Sequence, residues 1–195
     1  MNKVIIISAP SGAGKSTLIH HLIDQDLPLG FSISATNRKP RKGETDGKHY
    51  YFFDTETFKQ RIENKEFVEW EEVYKNQFYG TLKSEIERIK TIKKTPIFDL
   101  DVEGGMKIKK VFGDYALAIF IKPPSINTLR ERLIERSTDT REDVEKRVEK
   151  ASEELKREKY FDKTIINDNL EHAKFEIEKL VRAFIKENNT PIDDD

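Results

Sequence analysis

The chain has 195 residues, of which 36% are hydrophobic and 36% charged, with a formal net charge of −1 at pH 7. This length allows one well-packed domain with inserted subdomains, and the balanced charge argues against a nucleic-acid-binding protein, which is usually strongly basic. The sequence contains no cysteine, which excludes disulfides and thiolate metal sites, and it has neither a secretory signal nor an apolar run of membrane length, so we expect a cytoplasmic protein that binds no membrane.

Short apolar runs alternate with helical patterns along most of the chain. Runs rich in isoleucine and valine predict buried strands over 3–9, 95–101, 115–122 and 163–167. Amphipathic spacing predicts helices over 15–23, 82–92, 125–136, 140–159 and 170–186. Together they predict an α/β fold in which helices cover both faces of a parallel β-sheet.

Residues 31–81 interrupt this alternation. Short strands are predicted over 31–36, 49–53 and 66–73, around one small helix over 54–64. This pattern predicts an antiparallel insertion into the α/β core. The stretch 39–48 is rich in turn-forming glycine and proline and predicts a loop, and 188–195 predicts a frayed acidic tail.

A glycine-rich stretch, SAPSGAGKST (8–17), joins the first predicted strand to the first predicted helix. It follows the pattern G-x-x-x-x-G-K-[ST], with Ala9 at the first glycine position. Glycines let such a loop turn its backbone N–H groups inward, Lys15 can reach the β- and γ-phosphates, and Ser16 can bind Mg²⁺. The pattern predicts a nucleoside triphosphate site but does not separate kinases from GTPases, ATPases or motor proteins. Its residues are Ala9, Pro10, Ser11, Gly12, Ala13, Gly14, Lys15, Ser16 and Thr17.

A second group of residues suits a phosphate monoester. Arg38 and Arg41 flank a proline and precede Tyr50 and Tyr51. Arginine forks bind phosphate oxygens in pairs, and tyrosine hydroxyls complete such a site without adding charge. The alternative interpretation is a solvated basic loop. Together with the phosphate loop, the pattern indicates that two phosphorylated substrates meet.

Seven motifs follow one another in the order and spacing found in guanylate kinases: SAPSGAGKST, FSISATNRKPRKGE, DGKHYYF, FVEW, FYGT, FDLDVEGG and RERLIERS. The chain resembles this family from about residue 3 to about residue 186. The resemblance implies a P-loop kinase fold that transfers the γ-phosphoryl group of ATP to GMP, and to dGMP, with Mg²⁺. It also implies a core (1–30, 82–124 and 154–187), a small mixed α/β GMP-binding insertion (31–81) and a helical lid (125–153).

The resemblance assigns the GMP phosphate to Arg38, Arg41, Tyr50 and Tyr79. It assigns the guanine base to Ser34, Glu69 and Thr81. Guanine presents two adjacent donors, N1–H and the N2 amino group, which a carboxylate can accept, and an O6 acceptor to which a hydroxyl can donate. Adenine would present a lone pair to the same carboxylate.

Two aspartates follow one another closely at the end of the predicted strand 95–101. Asp99 and Asp101 lie where open α/β sheets hold ligands. The resemblance directs Asp99 toward the base and ribose, and Asp101 toward GMP or, with Ser16, toward the metal. The alternative for Asp101 is that it caps the helix that follows.

Arginines are concentrated near residues 130–147. Arg132 and Arg136 lie one helical turn apart, and phosphoryl transfer requires positive charge aimed at the moving group. The resemblance implies that Arg132 and Arg136 bind ATP, that Asn167 contacts its adenine, and that Arg136 and Arg147 close over ATP. It makes Lys15, Arg41, Arg136 and Arg147 the catalytic residues. The alternative is a salt-bridged helical hairpin with Glu135 and Glu149 as partners. Arg130 and Arg157 are expected to be surface residues of this kind.

The chain departs from the commonest family pattern at Ala9, Glu103, Gly105 and Ser137. Three other functions remain open at this point: a kinase for another nucleoside monophosphate, an inactive guanylate-kinase-like binding module, and a GTPase. Ser34 with Glu69 favours guanine over other bases, the intact phosphate-binding residues argue against an inactive module, and the lack of an NKxD-like motif argues against a GTPase. The expected partners are GMP and ATP, and the oligomeric state is not predicted.

Overall fold

The computed structural model describes residues 3–136 and 140–186, with only the backbone of Arg136. Five strands form the core sheet: β1 (Val4–Ser8), β2 (Leu29–Phe31), β7 (Thr95–Leu100), β8 (Ala116–Lys122) and β9 (Lys163–Ile166). Their order is β2-β7-β1-β8-β9, and each neighbouring pair is parallel. Parallel strands at the centre of such a sheet are buried on both faces, and all five residues of β1 are buried here.

Helices cover both faces of the core sheet. On one face, α1 (Lys15–Asp24) and α7 (Leu170–Lys186) pack against Ile5 and Ile7. On the other face, α3 (Lys83–Thr91) and α4 (Val102–Phe112) pack against Val4 and Ile6. The alternation of side chains along β1 therefore supplies both hydrophobic layers. The predicted α/β fold with a parallel sheet between helices is confirmed.

A second sheet lies within the predicted insertion. Its strands are β3 (Ala35–Thr36), β4 (Tyr51–Phe52), β5 (Phe67–Tyr74) and β6 (Gln77–Leu82), in the order β4-β3-β6-β5. The helix α2 (Thr55–Glu63) packs on this sheet, where Phe58 stacks on Phe67 and Phe78 with ring centroids 4.6 and 5.6 Å apart. The prediction of an antiparallel insertion is wrong for one pair, because β3 and β4 are parallel. The long connection over 37–50 lets the chain return to the same end of the sheet.

Two further helices form a unit with its own hydrophobic cluster. α5 (Ile126–Arg136) and α6 (Arg141–Leu155) are joined through Leu129, Leu133, Val144 and Val148. Ser137 and the tail 188–195 lie outside the described residues. Among the described helices, none combines the length and the apolar character that crossing a membrane requires.

Several predicted boundaries differ from the structure. The predicted strand 31–36 is divided, since Phe31 ends β2 in the core sheet and β3 begins at Ala35. The helix predicted over 140–159 ends at Leu155 and is followed by a separate 3₁₀ turn. The strand β6 and the helix α4 are not among the predicted elements. α4 carries two glycines in its first turn, which disfavour a helix locally, but the Asp101 side chain caps its N-terminus by accepting from Gly104 N.

Candidate active site

The phosphate loop runs from the carboxyl end of β1 to the N-terminus of α1. Gly12 and Gly14 have φ values of 90° and 94°, which side chains other than glycine rarely adopt. Ala9 does not have a positive φ, so the loop does not need a glycine there. No side chain caps α1, which leaves its first backbone N–H groups available to an anion.

Lys15 is held at the centre of the site by the neighbouring strand. Its Nζ forms an ion pair with Asp99 Oδ1 at 2.7 Å and donates to the Leu100 carbonyl oxygen at 2.6 Å. β7 is the strand next to β1, so the loop and the end of β7 meet at this lysine. Asp99 thereby acquires a direct partner that the sequence pattern alone does not indicate.

Two pockets meet at Lys15. The inner pocket, of about 350 Å³, lies between the two sheets and is bordered by Ser34, Tyr50, Glu69, Tyr79, Asp99 and Asp101. The loop pocket, of about 1020 Å³, is bordered by the phosphate loop, Ser16, Arg41 and Arg147. Lys15, Asp101, Tyr74 and Lys150 border both pockets.

Glu69 lies on the wall of the inner pocket and is only 8% exposed. It pairs across the strands with Thr81, whose hydroxyl donates to Glu69 Oε1 at 2.8 Å. The pKa of Glu69 is raised to about 7, chiefly by burial; the Thr81 hydrogen bond opposes this shift, and the Asp101 charge makes a smaller contribution in the same direction as burial. The pocket therefore contains a carboxyl group that changes charge near neutral pH.

The predicted phosphate-binding arginines occupy two different surroundings. The Arg38 guanidinium binds both carboxylate oxygens of Glu44 at 2.5 and 2.6 Å, and its Nε donates to the Tyr79 hydroxyl at 3.2 Å. This ion pair raises the pKa of Arg38 above its usual value and lowers the pKa of Glu44 to about 2. Arg41 donates its backbone N–H to Glu44, and the residue borders the loop pocket. Glu44 therefore contacts both predicted arginines, a role that the sequence signals only by its place in the RKGE stretch.

Asp101 caps the helix that follows it, which is the alternative role considered for it from the sequence. Its Oδ1 accepts from Gly104 N at 2.8 Å and so caps α4. The interpretation of Asp101 as a helix cap is confirmed, and the same residue borders both pockets. Two glycines allow α4 to lie close to Ser8 and Asp101. A Cβ on Gly105 would clash with Ser8 Oγ, and one on Gly104 would lie 3.2 Å from Asp101 Oδ1.

Arg132 and Asn167 meet on the other side of the phosphate loop. The Asn167 side chain donates to the Ala13 carbonyl oxygen at 2.9 Å, and Arg132 Nη2 donates to the Asn167 carbonyl oxygen at 3.0 Å. Arg132 Nη1 is buried without a hydrogen-bond acceptor among the described residues. Both residues border a side pocket of about 240 Å³ together with Thr17.

The arginines of α5 and α6 differ in their partners. Arg147 Nη2 donates to Ser11 Oγ at 2.6 Å, which joins α6 to the phosphate loop. Arg130 pairs with Glu145, and the two side chains are 37% and 54% exposed, which confirms the surface position predicted for Arg130. The Arg136 side chain lies outside the described residues. Glu103, a departure from the family pattern, pairs with Arg157.

Comparisons with known proteins agree on one family. A model of the guanylate kinase family, described as "Guanylate kinase", matches residues 1–184. A guanylate kinase of Porphyromonas gingivalis is 54% identical over 186 residues, which cover 95% of this chain and 99% of that protein. One of Bacteroides fragilis is 52% identical over 183 residues, 94% of this chain and 90% of that protein. The crystal structure of guanylate kinase from Anaplasma phagocytophilum matches 97% of this chain and 88% of its own, with a TM-score of 0.75 and 28% identity. The chain therefore belongs to the guanylate kinase family.

Proposed function

We propose that this chain transfers the γ-phosphoryl group of ATP to GMP in the cytoplasm, as part of purine nucleotide metabolism, and that dGMP is also a substrate. The observation that carries the proposal is that Lys15 and Asp101 border both pockets. A phosphate acceptor in the inner pocket and a triphosphate in the loop pocket would thus meet at a lysine, as direct transfer requires.

The inner pocket is the proposed GMP site. Glu69 would accept from the guanine N1–H and N2 amino group, since a buried carboxylate gains strongly from two donors. Ser34 and Thr81 would supply hydroxyls near the base. The GMP phosphate would bind Tyr50 and Tyr79, which border the inner pocket. Arg41, which borders the loop pocket, and Arg38 would have to turn toward that phosphate, which would compete with Glu44 for the Arg38 guanidinium. Asp99 and Asp101 would complete the site at the end of β7.

The loop pocket and the side pocket together form the proposed ATP site. The phosphates would bind the phosphate loop, whose glycines turn at Gly12 and Gly14. The adenine would lie near Asn167 and Arg132, because the buried Nη1 of Arg132 offers a hydrogen bond to an acceptor on the base or ribose. Arg136 and Arg147 would approach the phosphates from the α5–α6 unit.

The chemistry requires positioning and charge, not an acid–base pair. Charge accumulates on the transferred group, and Lys15, Arg41, Arg136 and Arg147 would stabilise it. The ion pair with Asp99 holds Lys15 Nζ at the junction of the pockets, so the cation needs little reorganisation. Ser16 and Asp101 offer the oxygen ligands that Mg²⁺ prefers, beside the proposed phosphates. Bound there, Mg²⁺ would neutralise phosphate charge.

The proposal also divides the chain by role. The core sheet with its helices (1–30, 82–124 and 154–187) would hold ATP, the insertion (31–81) would hold GMP, and the lid (125–153) would close over the phosphates. Supporting this division, the second sheet and the α5–α6 unit each have a hydrophobic cluster of their own.

An assay of ADP release with AMP, GMP, dGMP, CMP, UMP and dTMP as acceptors tests the proposed function. We expect GMP to exceed AMP and the pyrimidine nucleotides by at least about 10²-fold in kcat/KM, since a buried carboxylate rejects bases that lack the matching donors. A preference for another acceptor would identify a different nucleoside monophosphate kinase. GMP binding without ADP release would identify a binding module.

A further inference from the structure

The chain passes between the two sheets at two places, and one carboxylate lies beside both. The first passage is 32–34, between β2 and β3, and the second leads from Leu82 at the end of β6 directly into α3. Glu85 lies in the first turn of α3 and is 1% exposed. It does not border the inner pocket or the loop pocket, so its burial serves something other than contact with a substrate.

The Glu85 carboxylate accepts hydrogen bonds from three segments. Ile33 N donates to Oε1 at 2.9 Å from the first passage, and the Tyr51 hydroxyl donates to Oε2 at 2.8 Å from β4. Arg88, one turn further along α3, donates to both oxygens at 2.6 and 2.9 Å and also to the Phe31 carbonyl oxygen at 3.2 Å. Although burial raises the pKa of Glu85, the hydrogen bonds from Arg88, Ile33 and Tyr51 together hold that pKa below its usual value. The buried group is therefore a paired carboxylate and not a neutral acid.

Each partner that Glu85 holds outside α3 is next in sequence to a residue of the inner pocket. Ile33 precedes Ser34, and Tyr51 follows Tyr50. Ser34 and Tyr50 both border the inner pocket. A shift of Ile33 or of Tyr51 therefore moves a wall of that pocket. Lys15 and the phosphate loop are held by other groups, namely Asp99, Leu100, Arg147 and Asn167.

We propose that Glu85 is a positioning residue for the phosphate acceptor: it fastens the second sheet to α3 at the point where the chain crosses between the sheets, and so sets the positions of Ser34 and Tyr50. The inference rests on the proposed function, since it takes the inner pocket as the GMP site. A buried donor that loses its acceptor must find a new one or remain unsatisfied, so removing the carboxylate frees Ile33 and Tyr51 to shift. The acceptor site then loses affinity, and the ATP site does not.

Two variants test this role. Glu85→Gln removes the charge and leaves one acceptor oxygen, and Tyr51→Phe removes one hydrogen bond while the ring stays packed on the cluster of the second sheet. The matched control is Glu87→Gln on the same helix, where the exposed Glu87 pairs only locally with Lys90. The dissociation constants for GMP and for ATP are measured separately by calorimetry, with KM and kcat for each substrate.

We expect the dissociation constant and KM for GMP to rise about tenfold in Glu85→Gln and about threefold or more in Tyr51→Phe, because hydrogen bonds to a charged group are lost. The values for ATP should stay within about twofold, as should all values for the control. The variant that combines Glu85→Gln with Tyr51→Phe should bind GMP no more weakly than Glu85→Gln alone, since Tyr51 acts through the same carboxylate. A residue that only stabilised the fold would lower the melting temperature without separating GMP from ATP.

Unchanged GMP affinity in folded Glu85→Gln, or an equal loss of ATP affinity, would overturn the inference. If Glu85→Gln does not fold, the dissociation constants of Tyr51→Phe for GMP and for ATP test the inference in the same way. A wild-type protein that does not bind or phosphorylate GMP would contradict the proposed function and this inference together. A GMP-active wild type with unaffected variants would contradict the positioning role alone.

Discussion

Glu69 is buried and changes charge near neutral pH, so the affinity of the acceptor site for GMP should depend on pH. Burial raises its pKa to about 7, and only the ionised form can accept from both guanine donors. Below this pKa, Glu69 must lose a proton before GMP can bind. Protonation of Glu69 should therefore weaken GMP affinity about tenfold as the pH falls from about 8 to about 6. Calorimetry over this range measures it. The phosphate of GMP also titrates, and Glu69→Gln keeps that titration while it removes the carboxyl group. The same pH dependence in both proteins would contradict the assignment.

The same carboxylate should distinguish GMP from IMP. IMP retains O6 and N1–H but lacks the N2 amino group, so one carboxylate oxygen would lose its donor inside a closed site. We expect kcat/KM for IMP to be about 10- to 10³-fold lower than for GMP. In Glu69→Ala the ratio should approach unity, because the discriminating acceptor is gone and only the phosphate contacts remain. Steady-state kinetics with both substrates measure the ratio, and a full wild-type preference in the variant would mean that another group reads the base.

Lys15 is expected to act on the rate more than on the fold. Lys15→Met removes the cation at the junction of the two pockets, and kcat should fall by about 10²-fold or more. Lys15 and Asp99 both retain solvent access, so the melting temperature should change little. Lys156→Met, at an exposed lysine that pairs with Glu153, is the control that should retain normal turnover. Near-normal turnover of Lys15→Met would contradict the phosphate-loop assignment.

Residues whose roles follow from a local motif were accessible from the sequence, and residues whose partners are remote were not. Lys15 lies in a phosphate-loop pattern, and the spacing of Gly12 and Gly14 already indicates the backbone turn that their φ values show. Glu85 has no motif, because its partners Ile33 and Tyr51 are 52 and 34 residues away in the chain. Such a carboxylate resembles any other acid of an amphipathic helix until the tertiary contacts are known.

At the scale of elements, the phosphate loop tolerates alanine at one glycine position and not at another. Gly14 has a positive φ, and a Cβ there would clash with the Asn167 side chain. Gly14→Ala should therefore lower the free energy of unfolding by about 1–3 kcal/mol and impair ATP binding. Ala9→Gly restores the usual pattern at a position without positive φ, and should cost at most about 1 kcal/mol with little change in kcat. Urea unfolding and ATP calorimetry compare the two variants. Equal effects would contradict this account of the loop.

Element prediction succeeded where hydrophobic periodicity and tertiary packing agree. β1 and α7 have strong patterns, and the structure places them over Val4–Ser8 and Leu170–Lys186. α4 was not predicted, since Gly104 and Gly105 weaken its local helical signal. The structure supplies the missing reason: the glycines let the helix approach Asp101 and Ser8 closely. The parallel pairing of β3 with β4 likewise depends on the path of the 37–50 connection, which no local pattern encodes.

At the scale of the whole molecule, the two sheets and the α5–α6 unit surround one junction. The inner pocket lies between the sheets, and the loop pocket lies between the phosphate loop and α6. The resemblance to guanylate kinases predicted the family, and the comparisons confirm it. The sequence could not predict that Arg147 contacts Ser11, because that contact depends on how the α5–α6 unit packs over the phosphate loop.

These units should move closer together when both substrates are bound, because phosphoryl transfer must be protected from water. The second sheet is joined to the core by two short passages, and the inner pocket has room to close around a nucleotide. A ligand that joins adenosine and guanosine through five phosphates should occupy both pockets at once. For a chain of this length a radius of gyration of about 16 Å is expected, and small-angle scattering should record a decrease when this ligand is saturating. The analogue with adenosine at both ends is the control, since its second base presents a lone pair to Glu69 and should compact the protein less. An unchanged radius of gyration with the mixed ligand would mean that the site is already closed in the empty protein, and that neither the second sheet nor the α5–α6 unit acts as a moving lobe.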